Sequence, residues 1–357
     1  MVAVKHTSCA CIQTVCILAL MTLPSARLVA DEVTLYNWEA YLAESVIEQF
    51  TQATGHTVKQ VFFEDEHKIE TLFSTGQANV FDLIILENNT AHLLGKHGYL
   101  RPINTLGLTQ LKHIDQRWLT ACGDHSIPYS WGTVGVAYRS SLIDKPVLSW
   151  MDFFQPSSSI NKPLVVHKDA RSLTGAALLA LAEDPNTEDV AALEQAYHLL
   201  TQQRPFVEEY KYGVAYAIEH GSSSQMAMTL AYSADLEEII SQTKQEDWLF
   251  VIPQEGSMLW ADCLGLPSRR PLKTATIEFL DFINRPDIAA MNAQQAWIST
   301  PNTAAFEQLP SRTQQDPELY PSAAIRNKSH PFKTLSQPTY TLRLRMMNQL
   351  TLDASKE

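Results

Sequence analysis

The stretch Val33-Thr34-Leu35-Tyr36-Asn37-Trp38-Glu39-Ala40-Tyr41-Leu42 decides how the chain is read. Val33, Thr34, Leu35 and Tyr36 are β-branched, apolar or aromatic, which predicts a short buried strand. From Leu42 the period changes. Leu42, Val46, Ile47 and Phe50 recur at helical spacing, and Gly55 supplies a stop signal after Thr54. Between strand and helix sit Asn37, Trp38, Glu39 and Tyr41. In an open α/β sheet, ligands bind in the crevice outside the carboxyl ends of the strands. A ring face and a carboxylate placed there suit a cation. The alternative is an edge turn with Trp38 packed on the core and Glu39 solvated.

The pattern recurs downstream. A second strand is predicted over 58–63, and Ile69, Leu72 and Phe73 predict a helix ending near Gly76. The run Phe81-Asp82-Leu83-Ile84-Ile85-Leu86 is continuously apolar after its Asp, as in a strand buried on both faces of a sheet. It runs into Glu87-Asn88-Asn89-Thr90, again a polar cluster at a strand's carboxyl end. The first lobe therefore reads βαβαβ. Strands are predicted over 134–138, 164–167, 226–232 and 249–253, with helices over 172–182, 188–202 and 277–283 and from Ile288 toward Trp297. A tail rich in Pro and Gln ends in a predicted helix over 340–350.

At 357 residues the chain suits two domains, and 45% hydrophobic residues suffice for real cores. A formal net charge of −12 argues against nucleic acid as a partner. Eleven His show no paired metal spacing, and no Cys-x-x-Cys occurs, so no metal and no cofactor are expected. No nucleophile elbow or Ser-x-x-Lys constellation appears either, which argues against an enzyme. Residues 1–30 read as a secretory signal peptide: Lys5, the apolar run around Cys16-Ile17-Leu18-Ala19-Leu20-Met21, and a cleavage site at Leu28-Val29-Ala30. Of five cysteines, Cys122 and Cys263 then remain, as one disulfide or as two buried thiols.

Taken together, Leu35-Tyr36-Asn37-Trp38, Phe81-Asp82-Leu83-Ile84, Ser126-Ile127-Pro128-Tyr129, Trp131-Gly132, Ser149-Trp150-Met151-Asp152, Asp169-Ala170-Arg171, Trp260-Ala261-Asp262, Arg285-Pro286-Asp287-Ile288-Ala289 and Thr300-Pro301-Asn302 carry a likeness. In order and spacing they resemble the periplasmic spermidine/putrescine-binding branch of bacterial extracellular solute-binding proteins. The resemblance implies an α/β, two-lobed periplasmic binding protein fold of the class II type, each lobe a sheet flanked by helices, with the ligand cleft between. Lobe 1 is expected over 31–135 plus 262–306 and lobe 2 over 136–261 plus 307–357, with crossings near Gly135 and Asp262.

It further implies a polyamine ligand held by Trp38, Tyr41, Asp169, Trp260 and Asp262, to which Glu39, Glu87, Tyr232 and Trp297 are added as candidates by their position. The expected role is that of a monomeric periplasmic protein delivering a polyamine, a triamine by preference, to an ABC-type permease. The alternative is a sensor reporting occupancy to a membrane-bound signalling protein. This sequence departs from the family pattern in several places. The family often has an acid at the position of Ala40, where here Glu39 lies one residue earlier. Glu87 and Asn89 replace a usual Ser or Tyr contact, and Ser172 stands where Glu is common. Leu230 and Ile298 replace wall aromatics, with Tyr232 and Trp297 close by.

Overall fold

The computed structural model describes residues 1–3, 30–62, 69–161 and 163–354. The predicted signal peptide falls almost wholly on 4–29, outside the described residues. Ten strands lie among the described residues: β1 (Glu32–Asn37), β2 (Thr57–Phe62), β3 (Leu83–Glu87), β4 (Ser126–Arg139), β5 (Leu164–Val165), β6 (Val207–Glu209), β7 (Met228–Tyr232), β8 (Trp248–Val251), β9 (Met258–Gly265) and β10 (His330–Pro331). Their order is β2-β1-β3-β9-β4-β7-β5-β6, with β8 beside β4 and β10 beside β9.

Alternation of side chains across β3 explains its continuous apolar run. Leu83 and Ile85 enter the core shared with Val33, Leu35, Phe50 and Phe279. Ile84 and Leu86 enter the opposite core, with Trp118, Trp131 and Leu259. A half-buried antiparallel strand would have needed polar residues at every second position. The helix Glu44–Thr54 buries Val46 and Phe50 and stops at Gly55, whose φ of 78° is the left-handed position that favours glycine.

β4 joins the two halves of the molecule. Ser126 to Thr133 pair with β9, while Val134 to Tyr138 pair with β7. One strand thus serves both halves, and the two lobes share a single hydrogen-bonded path. Past the switch, Val134, Val136 and Tyr138 enter a core with Trp150, Phe153 and Leu173, and Ala137 enters another with Tyr216 and Trp248. Each half of the sheet is therefore covered on both faces, and the fold is mixed α/β.

The structure redraws three expected boundaries. β4 changes partner between Thr133 and Val134, close to the expected crossing at Gly135. β9 pairs with β3 and the first part of β4 from Leu259 onward, while Met258 still packs in the second half's core, so the return lies near Met258 and Leu259 rather than at Asp262. Leu309, Leu319 and Tyr320, expected in lobe 2, pack in the first half's core beside Trp131. Prolines and glutamines hide any periodicity in that stretch, so sequence offered no signal. The last helix, Gln337–Ala354, does pack on the second half, through Met346, Met347 and Leu350.

Cys122 and Cys263 form a disulfide, settling an alternative that spacing left open. It ties the end of the helix Gln116–Cys122 to β9, one residue beyond Asp262.

Candidate functional site

Two glycines on β4 shape the region where the halves meet. A Cβ at Gly132 would lie 2.2 Å from both the Trp260 ring and Ser233 Oγ. A Cβ at Gly135 would lie 2.6 Å from the Val251 carbonyl oxygen. No other residue fits either place without displacing its neighbour. The Trp260 ring consequently lies against the backbone of the crossing strand, and its Nε1 donates to Thr133 O at 3.3 Å.

On β9, Asp262 pairs in register with Glu87 of β3 on one side and Ser130 of β4 on the other. Directly opposed residues in an antiparallel pair share a face, with Cβ atoms about 4.5–5.5 Å apart. Two carboxylates therefore stand side by side. The Tyr41 hydroxyl donates to Asp262 Oδ2 at 2.7 Å. Tyr41 is braced in turn, since its carbonyl accepts from the Tyr129 hydroxyl at 2.7 Å and Asn292 Nδ2 donates to that hydroxyl at 2.9 Å. Burial, with Glu87 adding to it, pushes the Asp262 carboxyl up to about 7 despite the Tyr41 hydrogen bond. Burial and the neighbouring Asp262 also hold the Tyr41 hydroxyl well above the ordinary tyrosine value, so it remains a donor.

Glu87 reaches the second half. Its carboxylate forms an ion pair with Arg171, whose guanidinium lies over the Phe332 ring at 5.3 Å. Neighbouring contacts follow the same direction: Asn88 Nδ2 donates to Phe332 O at 3.2 Å and Thr334 Oγ1 to Asn89 Oδ1 at 3.2 Å. Asp169 Oδ1 accepts from Ser172 N at 2.7 Å and Arg171 N at 3.2 Å, so the carboxylate holds two backbone N–H groups at the entry to the helix Ser172–Ala180. Burial raises the Asp169 carboxyl, but Arg171 and the Ser172 hydrogen bonds outweigh it and hold it below the usual range. Ser172 Oγ lies 2.9 Å from the Tyr232 hydroxyl. Tyr232, Tyr212 and His167 form a ring cluster with centroids 5.0 to 6.4 Å apart. Asp235 supports it, accepting from Tyr232 N at 2.8 Å and from the Tyr212 hydroxyl.

The structure thus brings Tyr41, Asp262, Glu87, Asp169 and Tyr232 into one chain of contacts, with Trp260 on the strand that carries Asp262. Trp38 packs half-buried against both first-half cores. Trp297 packs on one of them, with φ at 53°, as Ala40 has at 59°, both unusual for a residue with a side chain. Glu39 stands exposed on the turn, apart from the hydrogen-bond network around Asp262. Sequence reasoning assigned no role to Arg171, Tyr129 or Asn292. Arg171 had a legible signal, lying two residues from Asp169 at a strand's carboxyl end. Asn292 had none, because its contact with Tyr129 spans 163 positions.

A row of acids and rings between two α/β halves suits an extended organic cation, and known proteins agree with that chemistry. Residues 45–321 match the family model of bacterial extracellular solute-binding proteins. The chain belongs to this family. It is 32% identical over 291 residues to the norspermidine sensor of Vibrio cholerae, covering 82% of this chain and 80% of that protein. It is 28% identical over 313 residues to the spermidine/putrescine-binding periplasmic protein of Escherichia coli, covering 85% and 88%. A spermidine/putrescine ABC transporter substrate-binding protein of Streptococcus pneumoniae superposes with a TM-score of 0.81 at 22% identity, covering 91% of this chain and all of that one. At that identity the superposition speaks for the fold alone. Within this solute-binding family the fold is that of the periplasmic polyamine-binding proteins, as the resemblance implied.

Proposed function

We propose that this solute-binding protein captures a polyamine in the periplasm, with Asp262 meeting one ammonium and Glu87 and Asp169 the others. The observation that carries this reading is the Asp262 carboxyl, raised to about 7, which among the described residues faces a tyrosine hydroxyl and a second acid rather than a cation. A buried carboxylate without a cation is costly, and an ammonium arriving there would repay its ionisation. Trp260, Tyr232, Trp38 and Trp297 supply ring faces for the methylenes and cations of the chain. A triamine is the preferred ligand, because three acids stand in sequence along the cleft. The names of the relatives, a norspermidine sensor and a spermidine/putrescine-binding periplasmic protein, support the ligand class, and the second supports the compartment. The disulfide fits an oxidising compartment.

Delivery to an ABC-type permease is the role expected of the fold. A second reading, reporting occupancy to a membrane-bound signalling protein, is favoured by the identity to a norspermidine sensor. Neither role requires catalysis. Calorimetric titration with putrescine, spermidine, norspermidine and spermine at fixed salt tests the ligand, and absence of heat with all four would refute it. Co-purification of the ligand-loaded protein from membranes separates the roles by identifying a permease or a signalling protein.

A further inference from the structure

The charged side chains where the two halves meet run in a definite order: Asp262, Glu87, Arg171, Asp169. The first two are register partners, the second and third an ion pair, and the fourth lies in the loop that carries the third. Three are acids and one is a cation. The cation is not a surface group that strayed inward. The Arg171 side chain is 22% exposed and that of Glu87 14%, and Phe332 covers the guanidinium. Glu87 outweighs the cost of burial and keeps Arg171 charged. Arg171 belongs to the second half and Glu87 to the first.

We propose that Arg171 is a built-in rival of the ligand, standing where an ammonium would otherwise sit between Glu87 and Asp169, and that it thereby weakens binding of longer polyamines selectively. This rests on the polyamine reading above and adds to it which residue sets length selectivity. A diamine that places its charges near Asp262 leaves the Glu87–Arg171 pair intact. A triamine carries a further charge along the row and must take Glu87 from Arg171. Displacing a guanidinium from a partly buried carboxylate costs the charge-assisted hydrogen bonds it made, and the arriving ammonium regains only part of that sum. The same pair bridges the halves without any ligand, so it also resists their separation.

The test is calorimetric titration of wild type, Arg171→Gln, Arg171→Lys and Arg171→Gln/Glu87→Gln with putrescine and norspermidine at one salt concentration. Arg171→Gln should raise norspermidine affinity about tenfold or more, roughly 1.4 kcal/mol, while putrescine affinity changes less than about threefold. The gain should vanish in the double variant, because the vacated place then lacks its acid. Arg171→Lys keeps the charge but loses the planar guanidinium that lies over Phe332, so it should give a smaller rise of the same sign, and it serves alone if Arg171→Gln does not melt cooperatively. An unchanged norspermidine-to-putrescine ratio, or a fall in norspermidine affinity, would overturn the proposal. Failure of wild type to bind any amine would instead overturn the polyamine reading on which it rests.

Discussion

The Tyr41 hydroxyl and the Asp262 carboxylate, 221 positions apart, meet at 2.7 Å beside a second acid. A carboxyl raised to about 7 is partly protonated near neutrality, whereas one paired with an ammonium is ionised. Polyamine binding should therefore release a fraction of a proton near pH 7. Affinity should fall as pH drops, by up to ~100-fold between pH 8 and pH 5, following the linkage of binding to a single proton. Titrations in buffers of different ionisation enthalpy measure the proton directly. Asp262→Asn should abolish the release. Equal proton release by wild type and variant would refute the assignment.

Removing the Asp262 charge should also weaken binding by one or two orders of magnitude or more, by analogy with buried charge pairs worth about 2–5 kcal/mol. Trp260→Ala should weaken binding as well, through loss of the ring against Gly132. Gly132→Ala should do likewise, since its Cβ needs space that the ring and Ser233 Oγ occupy. Calorimetry on the three variants, each checked by circular dichroism, decides. Unchanged affinity in Gly132→Ala would mean that the ring is free to move.

The pH dependence of stability without ligand should run opposite to that of binding. Burial raises Asp262, Asp235 and Glu318 to about 7 from ordinary values of 3.8 and 4.5. Each binds its proton more tightly in the folded chain than in the unfolded one. Between about pH 4 and 7 the folded state then holds more protons, so stability falls as pH rises through that window and the cost is complete above it. Asp82, held low by Arg270 at 2.8 Å and Lys273 at 2.7 Å against its burial, acts the other way only at lower pH. The melting temperature should be higher near pH 5.5 than at pH 8, and the difference should shrink in Asp262→Asn. A scan rising from pH 5.5 to pH 8 would contradict this.

Reduction should cost the protein much of its stability. The Cys122–Cys263 bridge closes a loop with a sequence separation of 141, for which chain entropy suggests about 4–5 kcal/mol as an upper figure. Cys122→Ser/Cys263→Ser should melt well below the oxidised protein. It should also bind polyamine more weakly, because β9 loses its anchor next to Asp262. Melting curves with and without dithiothreitol check the first part and titration the second.

What was legible in the sequence was whatever rests on local periodicity. The strand-turn-helix around Trp38, the doubly buried β3 and the stop at Gly55 follow from residue pattern and stand where expected. What was hidden rests on pairings between distant segments. β4 was read only from Val134, because Pro128 and Gly132 interrupt the pattern of its first half, yet that half pairs with β9 through seven residues between Ser126 and Thr133, with Tyr129 left out of register. The row of charges was legible in three of its members, since acids at strand ends stand out. Arg171 escaped because a cation in an expected cation site contradicts the simple chemistry. Only the geometry shows that it is turned toward Glu87.

The disulfide has one consequence for how the chain can be cut. Both its cysteines lie in the first half, and the chain between them includes β5, β6, β7, β8 and the second part of β4. The second half is thus, apart from the segment around Phe332 and its final helix, an excursion whose two ends are welded together at its base. A protease that nicks the exposed stretch around Gln155 or Ser157 opens the loop without releasing either fragment. The nicked protein would run as one species until a reductant is added, and the row of charges along the cleft would stay joined on both sides of the cut.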